Sequence, residues 1–252
     1  GVATLSSLGN WLQESAGRNA DMLGFGENDL LGYNLTWVLT RLVLRIDRLP
    51  HEGEKLRIHT WPSTLDHFGH RGYEVYDAEE KLIVSGGSAW SVMSLADRSM
   101  TQLPEKLVPR YPSAPRACAP FACRVIPRLR AESPARSLLR VRRDDLDING
   151  HVNNTKYLAW ILEPLPSVSV LKKNGEKNSM PRLVDITFRA ECFPQEELEC
   201  LCAPSSIPAG AAGEVLHHSV SGACLHSIQR TADGSEVCRA LTLWDDAPET
   251  TA

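Results

Sequence analysis

The sequence lacks any run of the roughly 18 apolar residues that a membrane helix needs. Its longest candidate, Leu35 to Ile46, is broken by Thr and Arg. It lacks a C-x-x-C pair, and its eight histidines do not stand at zinc-ligand spacing from its cysteines. No metal and no cofactor is therefore expected. It lacks an excess of basic charge: 27 Lys and Arg face 31 Asp and Glu, for a net charge of -4. That balance argues against nucleic acid as the main partner. It also lacks the composition of a disordered chain, with 42% hydrophobic and 23% charged residues. No signal or transit segment is visible, although the chain starts at Gly1 rather than Met, which is compatible with residues having been removed or left out.

The seven cysteines, Cys118, Cys123, Cys192, Cys200, Cys202, Cys224 and Cys238, are an odd count. They read as small buried hydrophobes of a reducing compartment. The expected location is the bacterial cytoplasm, a plastid being compatible if a transit segment has been removed.

Leu5, Leu8, Trp11, Leu12, Ala16 and Leu23 recur at helical spacing, so a helix is predicted over 4–23. Thr4 or Ser6 caps its start and Gly24 and Gly26 end it. Strands are predicted from Trp37 to Asp47, Glu54 to Pro62, Gly69 to Asp77 and Lys81 to Leu95. Residues 77–80 read as a hairpin turn. The prolines between Pro104 and Pro120 mark a linker that wraps the surface. A strand from Ser137 to Arg143, a loop over 144–150 and a helix from about Val152 to Leu162 follow, the helix stopped by Pro164 and Pro166. Four more strands are expected at Leu183 to Glu191, Glu197 to Ala203, Leu216 to Arg230 and Glu236 to Trp244.

The second half repeats the first. Trp11-Leu12-Gln13-Glu14 matches Trp160-Ile161-Leu162-Glu163, and Arg41-Leu42-Val43 matches Arg182-Leu183-Val184. Glu54-x-Leu56 matches Glu196-x-Leu198, and Trp90 matches Trp244. The matches keep their order, which indicates an internal duplication. One helix followed by a run of antiparallel strands is an α+β unit, a helix wrapped by a sheet, as in the hotdog arrangement. The expected architecture is a tandem (double) hotdog forming a pseudo-dimer: residues 1–103, a linker over 104–136, and residues 137–252. The first unit lacks the strand that should precede its helix.

Chemistry concentrates at the second helix entrance, Asp147-Ile148-Asn149-Gly150-His151-Val152-Asn153-Asn154. One Asn or Asp suffices to cap a helix, and here there are several. In an extended loop the spacing Asp-x-Asn-x-His would point Asp147, Asn149 and His151 the same way. A carboxylate, an amide and an imidazole would then converge where a helix start favours negative charge. A hydrogen-bonded turn without chemistry satisfies the same spacing.

The stretch D-L-D-I-N-G-H-V-N-N-T-K-Y-L-A-W-I-L-E, residues 145–163, resembles the acyl-[acyl carrier protein] thioesterases of plants and bacteria. Trp37-Val38-Leu39, Thr60-Trp61-Pro62, Tyr76-Asp77-Ala78 and Ser88-Ala89-Trp90 resemble that family's first hotdog, and Arg189-Ala190-Glu191-Cys192 its second. The resemblance covers most of residues 5 to 192 and is weaker over 203–252. It implies hydrolysis of fatty acyl-acyl carrier protein to free fatty acid. Asp147, Asn149, His151 and Glu191 are the catalytic positions it implies. Under this reading Asn153, Asn154, Tyr157, Trp37 and Trp61 meet the substrate. Trp11, Met22, Phe68 and Trp90 are further candidates for a tunnel wall, plain core packing being the alternative for each. Cys192 with His151 and Asn149 would make a rival nucleophilic set. In a strand, however, Glu191 and Cys192 would face opposite ways, which favours Glu191. The first helix entrance, Gly1 to Thr4, carries no Asn or His, so one active site per chain is expected.

The partner implied is acyl carrier protein with a phosphopantetheine-linked acyl chain, with no nucleic acid and no membrane, and a homodimer is compatible with this reading. Arg124, Arg128, Arg130, Arg136, Arg140, Arg142 and Arg143 form a basic stretch, of which Arg140, Arg142 and Arg143 are the candidate docking residues for an acidic carrier. Arginines on a solvated strand face are the plain alternative. Three other readings use the same frame: an acyl-CoA thioesterase, a hotdog dehydratase, and an acyl-binding module without turnover. The paired histidines His217 and His218 are expected to hold no metal.

Overall fold

Thr4 caps the first helix, α1 (Leu5–Leu23), its Oγ1 accepting the Ser7 N–H at 3.1 Å. Leu5, Leu8, Leu12, Ala16 and Ala20 form its buried stripe, and Gly24, in the left-handed region at φ 77°, ends it. The structure, a computed structural model, describes residues 1–112, 116–165, 180–208, 214–215 and 218–245. A short helix, α2 (Glu27–Leu31), follows. The sequence reading did not anticipate it, because five residues are too few for a helical period to show. Then come β1 (Leu35–Ile46), β2 (Arg57–Leu65), β3 (Gly69–Tyr76), β4 (Leu82–Ser94) and the two-residue β5 (Met100–Thr101).

The second half runs β6 (Ala135–Arg140), α3 (Asn154–Trp160), β7 (Leu183–Phe188), β8 (Glu197–Ser205), β9 (Glu214–Val215), β10 (His218–Ser219), β11 (Gly222–Arg230) and β12 (Glu236–Trp244). Several boundaries differ from expectation, each for a local reason. Glu54 is drawn into a turn by Arg48 at 2.5 Å and the His51 N–H at 2.8 Å, so β2 starts three residues later. It then continues past Pro62 through a register break. The helix expected over 152–162 shortens to Asn154–Trp160 and runs into turns before Pro164. The strand expected from Leu216 is divided into β10 and β11. Leu216, His217 and Pro166 lie outside the described residues.

Among the described residues, ten strands form one antiparallel sheet in the order β2-β3-β4-β1-β7-β12-β11-β8-β6, with β5 on β4. The order reads symmetrically about the β1–β7 seam: β2-β3-β4-β1 on one side is answered by β8-β11-β12-β7 on the other. The seam pairs Arg41 with Thr187 and Leu44 with Val184. The symmetry breaks at the ends. The second half has β6 beside β8, whereas the first half has an isolated bridge, Val2–His51, at its N-terminus.

Helices α1 and α3 pack on one face of this sheet, the arrangement of a double hotdog. Leu8 and Leu12 of α1, Leu158 and Ile161 from the α3 region, and Leu44, Val184 and Ile186 of the seam share that core. The helices approach closely at Gly9, where an added Cβ would stand 2.7 Å from Leu158 Cδ1. Alternate seam residues, Val43 and Leu183, face the other way and pack against Ala122 and Ile126 of the chain that joins the halves. Asp185, fully buried, ties the three parts together. It accepts two bonds at 2.8 Å from Arg41 and one at 2.8 Å from the Ala122 N–H. The seven cysteines are free thiols, five of them buried. No described helix is long and apolar enough to cross a membrane.

Candidate active site

Asn153 caps α3, its Oδ1 accepting from the Thr155 N–H at 3.0 Å and the Thr155 hydroxyl at 2.9 Å. The loop before it is a closed turn, not the extended segment that the spacing suggested. Leu146 bridges to Val152, and the Asp147 N–H reaches the His151 carbonyl at 2.8 Å. Asp147 Oδ1 accepts the Asn149 N–H at 2.8 Å and the His151 N–H at 3.3 Å. Gly150, at φ 78°, makes the turn without a Cβ penalty. Asp147 therefore uses its carboxylate to hold its own loop. Asp147, Asn149 and His151 nevertheless line one cavity, with Asn149 exposed and Asp147 and His151 partly buried.

Glu191 reaches this turn from far along the chain. It lies beyond the end of β7, so strand alternation does not set its direction. The Val152 N–H donates to the Cys192 carbonyl at 3.0 Å, which fastens the helix entrance to the segment after β7. Arg230 Nη2 donates to the Glu191 carbonyl at 2.5 Å and steadies the same segment. The result is His151 Nδ1 3.3 Å from Glu191 Oε1. Phe193 stands edge-on to the imidazole, with centroids 5.1 Å apart. The other carboxylate oxygen of Glu191 pairs with Arg98, which comes from the β4–β5 turn of the first half. Arg98 has φ 61°, a strained value for a residue with a side chain. The sequence reading missed Arg98, since nothing in Asp97-Arg98-Ser99 sets it apart from any polar turn.

Cys192 is fully buried and is absent from the cavity wall. Burial pushes its thiol up to about 11, and Tyr157 is its hydrogen-bonding neighbour. Burial likewise pushes the Tyr157 phenol up. A thiol held in this way is a poor source of thiolate.

The cavity holds about 990 Å³ and runs between α1 and the sheet. Asn154, Tyr157 and Trp37 line it together with Asn153, and so does Trp90. Trp37 Nε1 is fixed on the Phe25 carbonyl at 2.9 Å. Trp61 is elsewhere: its ring lies 3.9 Å beneath the Arg116 guanidinium, and its Nε1 donates to the Arg116 carbonyl. Met22 is 86% exposed, Phe68 is also exposed, and Trp11 packs on the core, so none of these three lines the cavity. Arg140, Arg142 and Arg143 are exposed at the end of edge strand β6, just before the Asp147 turn. The rest of the basic stretch is divided: the chain over 121–126 lies on the helix-free face of the sheet, and Arg136 pairs with Glu199 at 3.2 Å. His218 meets Asp47 at 2.9 Å and Asp245 at 3.5 Å, and no cluster of metal-ligating side chains occurs among the described residues.

Comparison with known proteins places this geometry in context. Residues 1–111 match the acyl-ACP thioesterase N-terminal domain and residues 129–246 the acyl-ACP thioesterase C-terminal domain. A chloroplastic palmitoyl-acyl carrier protein thioesterase of Arabidopsis thaliana is 30% identical over 99% of this chain, which spans 61% of that protein. An acyl-ACP thioesterase structure from Bacteroides thetaiotaomicron superposes with a TM-score of 0.79 at 27% identity, covering 97% of this chain and 90% of that one. A 12:0-ACP thioesterase structure from Umbellularia californica superposes at 0.78 with 23% identity, covering 98% and 88%, a likeness of fold.

Proposed function

We propose, from the premise that this chain belongs to the acyl-ACP thioesterase family, that it hydrolyses the thioester of fatty acyl-acyl carrier protein to free fatty acid and carrier thiol. The observation that carries the reading is the 3.3 Å contact of His151 with Glu191 on the wall of a cavity large enough for an acyl chain. These residues stand forty positions apart in sequence, and a capping role for either would not need the other.

In this scheme Glu191 accepts a proton from water. The water oxygen bonds to the carbonyl carbon, and the carbonyl electrons move onto oxygen. Asn149 and the opening turn of α3 hold that oxyanion. Asp147 keeps the turn closed, so that Asn149 and His151 keep their positions. Collapse breaks the C–S bond, and the departing thiolate takes the proton back by way of His151. Arg98 pairs with one carboxylate oxygen of Glu191 and steadies its position. Asn153, Asn154, Tyr157 and Trp37 contact the acyl thioester, and the first half encloses the chain. Each buried methylene adds about 0.8 kcal/mol to binding. We divide the molecule into hotdog units over 1–103 and 137–252 with a linker over 104–136, β6 of the second unit beginning two residues before that boundary, at Ala135. Arg140, Arg142 and Arg143 are the surface on which the acidic carrier docks.

Glu191→Gln and Cys192→Ala test the scheme side by side. In a thiol-release assay Glu191→Gln should lose about 10²- to 10⁴-fold in kcat, while Cys192→Ala stays within a few-fold of the parent. Loss in Cys192→Ala with accumulation of a covalent acyl-protein would overturn the assignment in favour of the thiol.

A further inference from the structure

We infer that the end of the cavity remote from Glu191 is a polar subsite built around Arg71, which takes an oxygen-bearing group at the far end of the acyl chain. The inference rests on the thioester hydrolysis proposed above and adds the class of chain that is accepted.

Arg71 stands on the helix-facing side of β3 and is only 5% exposed. Its Nη1 donates to Asn19 Oδ1 at 2.8 Å and Thr60 Oγ1 at 3.2 Å. Its Nε and Nη2 make no hydrogen bond among the described residues, and no described carboxylate lies within ion-pair distance. Three other shielded arginines are paired, Arg41 with Asp185, Arg182 with Asp245 and Arg239 with Glu236; Arg45 shares with Arg71 the lack of an ion pair among the described residues but does not line the cavity. A guanidinium stays charged and keeps five donors to satisfy. Burial pushes Arg71 below its ordinary value, and the nearby Tyr73 and Tyr111 phenols only partly offset this.

Arg71 and Tyr111 both line the cavity. The Tyr111 hydroxyl also has no hydrogen-bond partner among the described residues. Room for it exists because residue 69 is glycine: a Cβ there would stand 2.6 Å from Tyr111 Oη. The Arg71 guanidinium and the Tyr111 hydroxyl therefore present free donors to one cavity. A chain that displaces water from them without supplying an acceptor leaves them unpaired, which favours an oxygen there over a methyl group.

The position suits the far end of a chain. At the reacting end the Thr155 hydroxyl meets Asn10 of α1 at 2.8 Å, and at the other end Arg71 meets Asn19 of the same helix. Nine residues of helix separate these anchors, about 13 Å along the axis. Between them α1 presents Gln13 and Glu14 to the cavity beside Ala16 and Gly17. Such a wall suits an oxygenated chain better than a plain alkyl one.

The test uses the full chain and acyl-acyl carrier protein substrates in sets of equal carbon number, ending in methyl, hydroxyl or carboxylate. A site built to bond a substrate oxygen discriminates strongly against the analogue that lacks it, up to about 10⁴-fold. The parent should turn over a hydroxyl- or carboxylate-ended chain with kcat/KM at least ~10-fold above its methyl-ended partner. A carboxylate advantage over hydroxyl would identify an ion pair, and equality a neutral acceptor. Arg71→Met should invert the preference, Arg71→Lys retain part of it, and Tyr111→Phe reduce it. A parent that prefers methyl-ended chains at every length, or an unchanged ratio in Arg71→Met and Tyr111→Phe, would overturn the subsite. If no thioester is cleaved at all, the hydrolase reading fails. Calorimetric binding of the matching hydroxyl- and methyl-ended free acids to the parent and Tyr111→Phe then judges the subsite on its own.

Discussion

The two halves of this molecule share a strand order and differ in what they do with it. In the first half a nineteen-residue helix lies along the cavity, and its entrance, Gly1 to Thr4, carries no amide or imidazole side chain. In the second half the helix shrinks to seven residues, and its entrance is a closed turn that carries Asp147, Asn149 and His151. One copy supplies length and enclosure, the other fixed polar groups. A duplicated frame allows this division because each copy needs only its apolar stripe to keep the shared core filled. The halves are not independent, however. Arg98 of the first reaches Glu191 of the second, and Asp185 of the second holds Arg41 of the first.

Breaking the seam should have the largest effect on stability. Asp185→Ala removes the buried carboxylate and leaves Arg41 and the Ala122 N–H without it. Loss of one partner of a buried pair costs about 3–5 kcal/mol, which urea unfolding would read as a lower midpoint. A midpoint within error of the parent would show that the seam is held by its apolar residues alone.

Acid should separate the halves next. In the second half His226 is fully buried, with its Nε2 2.8 Å from Thr242 Oγ1, and burial pulls its pKa down to about 4. A depressed histidine is neutral when folded, while the unfolded chain binds a proton below about 6.5. Its contribution is therefore full above pH 6.5 and falls as pH drops toward 4. In the first half Glu54, bonded by Arg48, is held down to about 2. That contribution is full above the unfolded carboxylate value and is lost as pH falls through about 2. Urea midpoints against pH should show the higher window vanish in His226→Leu and the lower one in Glu54→Gln. Identical curves for both variants would deny the assignment.

Arg98→Ala should cost about tenfold in kcat, with little change in KM, because it steadies Glu191 without touching the acyl group. An unaltered kcat would leave the cross-half contact a surface ion pair. The smallest effect is expected at the carrier surface. Reversing Arg140 and Arg142 to Glu should raise KM several-fold for carrier-linked substrate and leave acyl-CoA unaffected. Equal changes for both substrates would remove the docking role.

Much of this was legible in the sequence where a local rule dominates. Thr4 and Gly24 bound the first helix as capping chemistry requires, and the strand expected from Glu236 to Trp244 is β12 from end to end. The duplicated words, Arg41-Leu42-Val43 and Arg182-Leu183-Val184, fall on or beside the seam strands, but not in equivalent register: Leu42 and Val184 face the helices, whereas Val43 and Leu183 face away. What spacing could not convey was direction. Asp147, Asn149 and His151 share a cavity because Asp147 bonds its own loop's amides, the opposite of the extended course assumed for them. Trp61 looked like a tunnel residue by type and turned out to carry Arg116. Arg98 and Arg71 left no trace in the sequence reading, because their partners Glu191 and Asn19 are set by tertiary contacts 93 and 52 residues away.

The most direct test of the central claim is thiol release by the purified chain from acyl-acyl carrier protein and from the matching acyl-CoA, measured in parallel. Rapid release from the carrier substrate, weaker release from the CoA ester, and loss of both in Glu191→Gln is the predicted pattern. Binding of either substrate without thiol release, or undiminished release in Glu191→Gln, would contradict it.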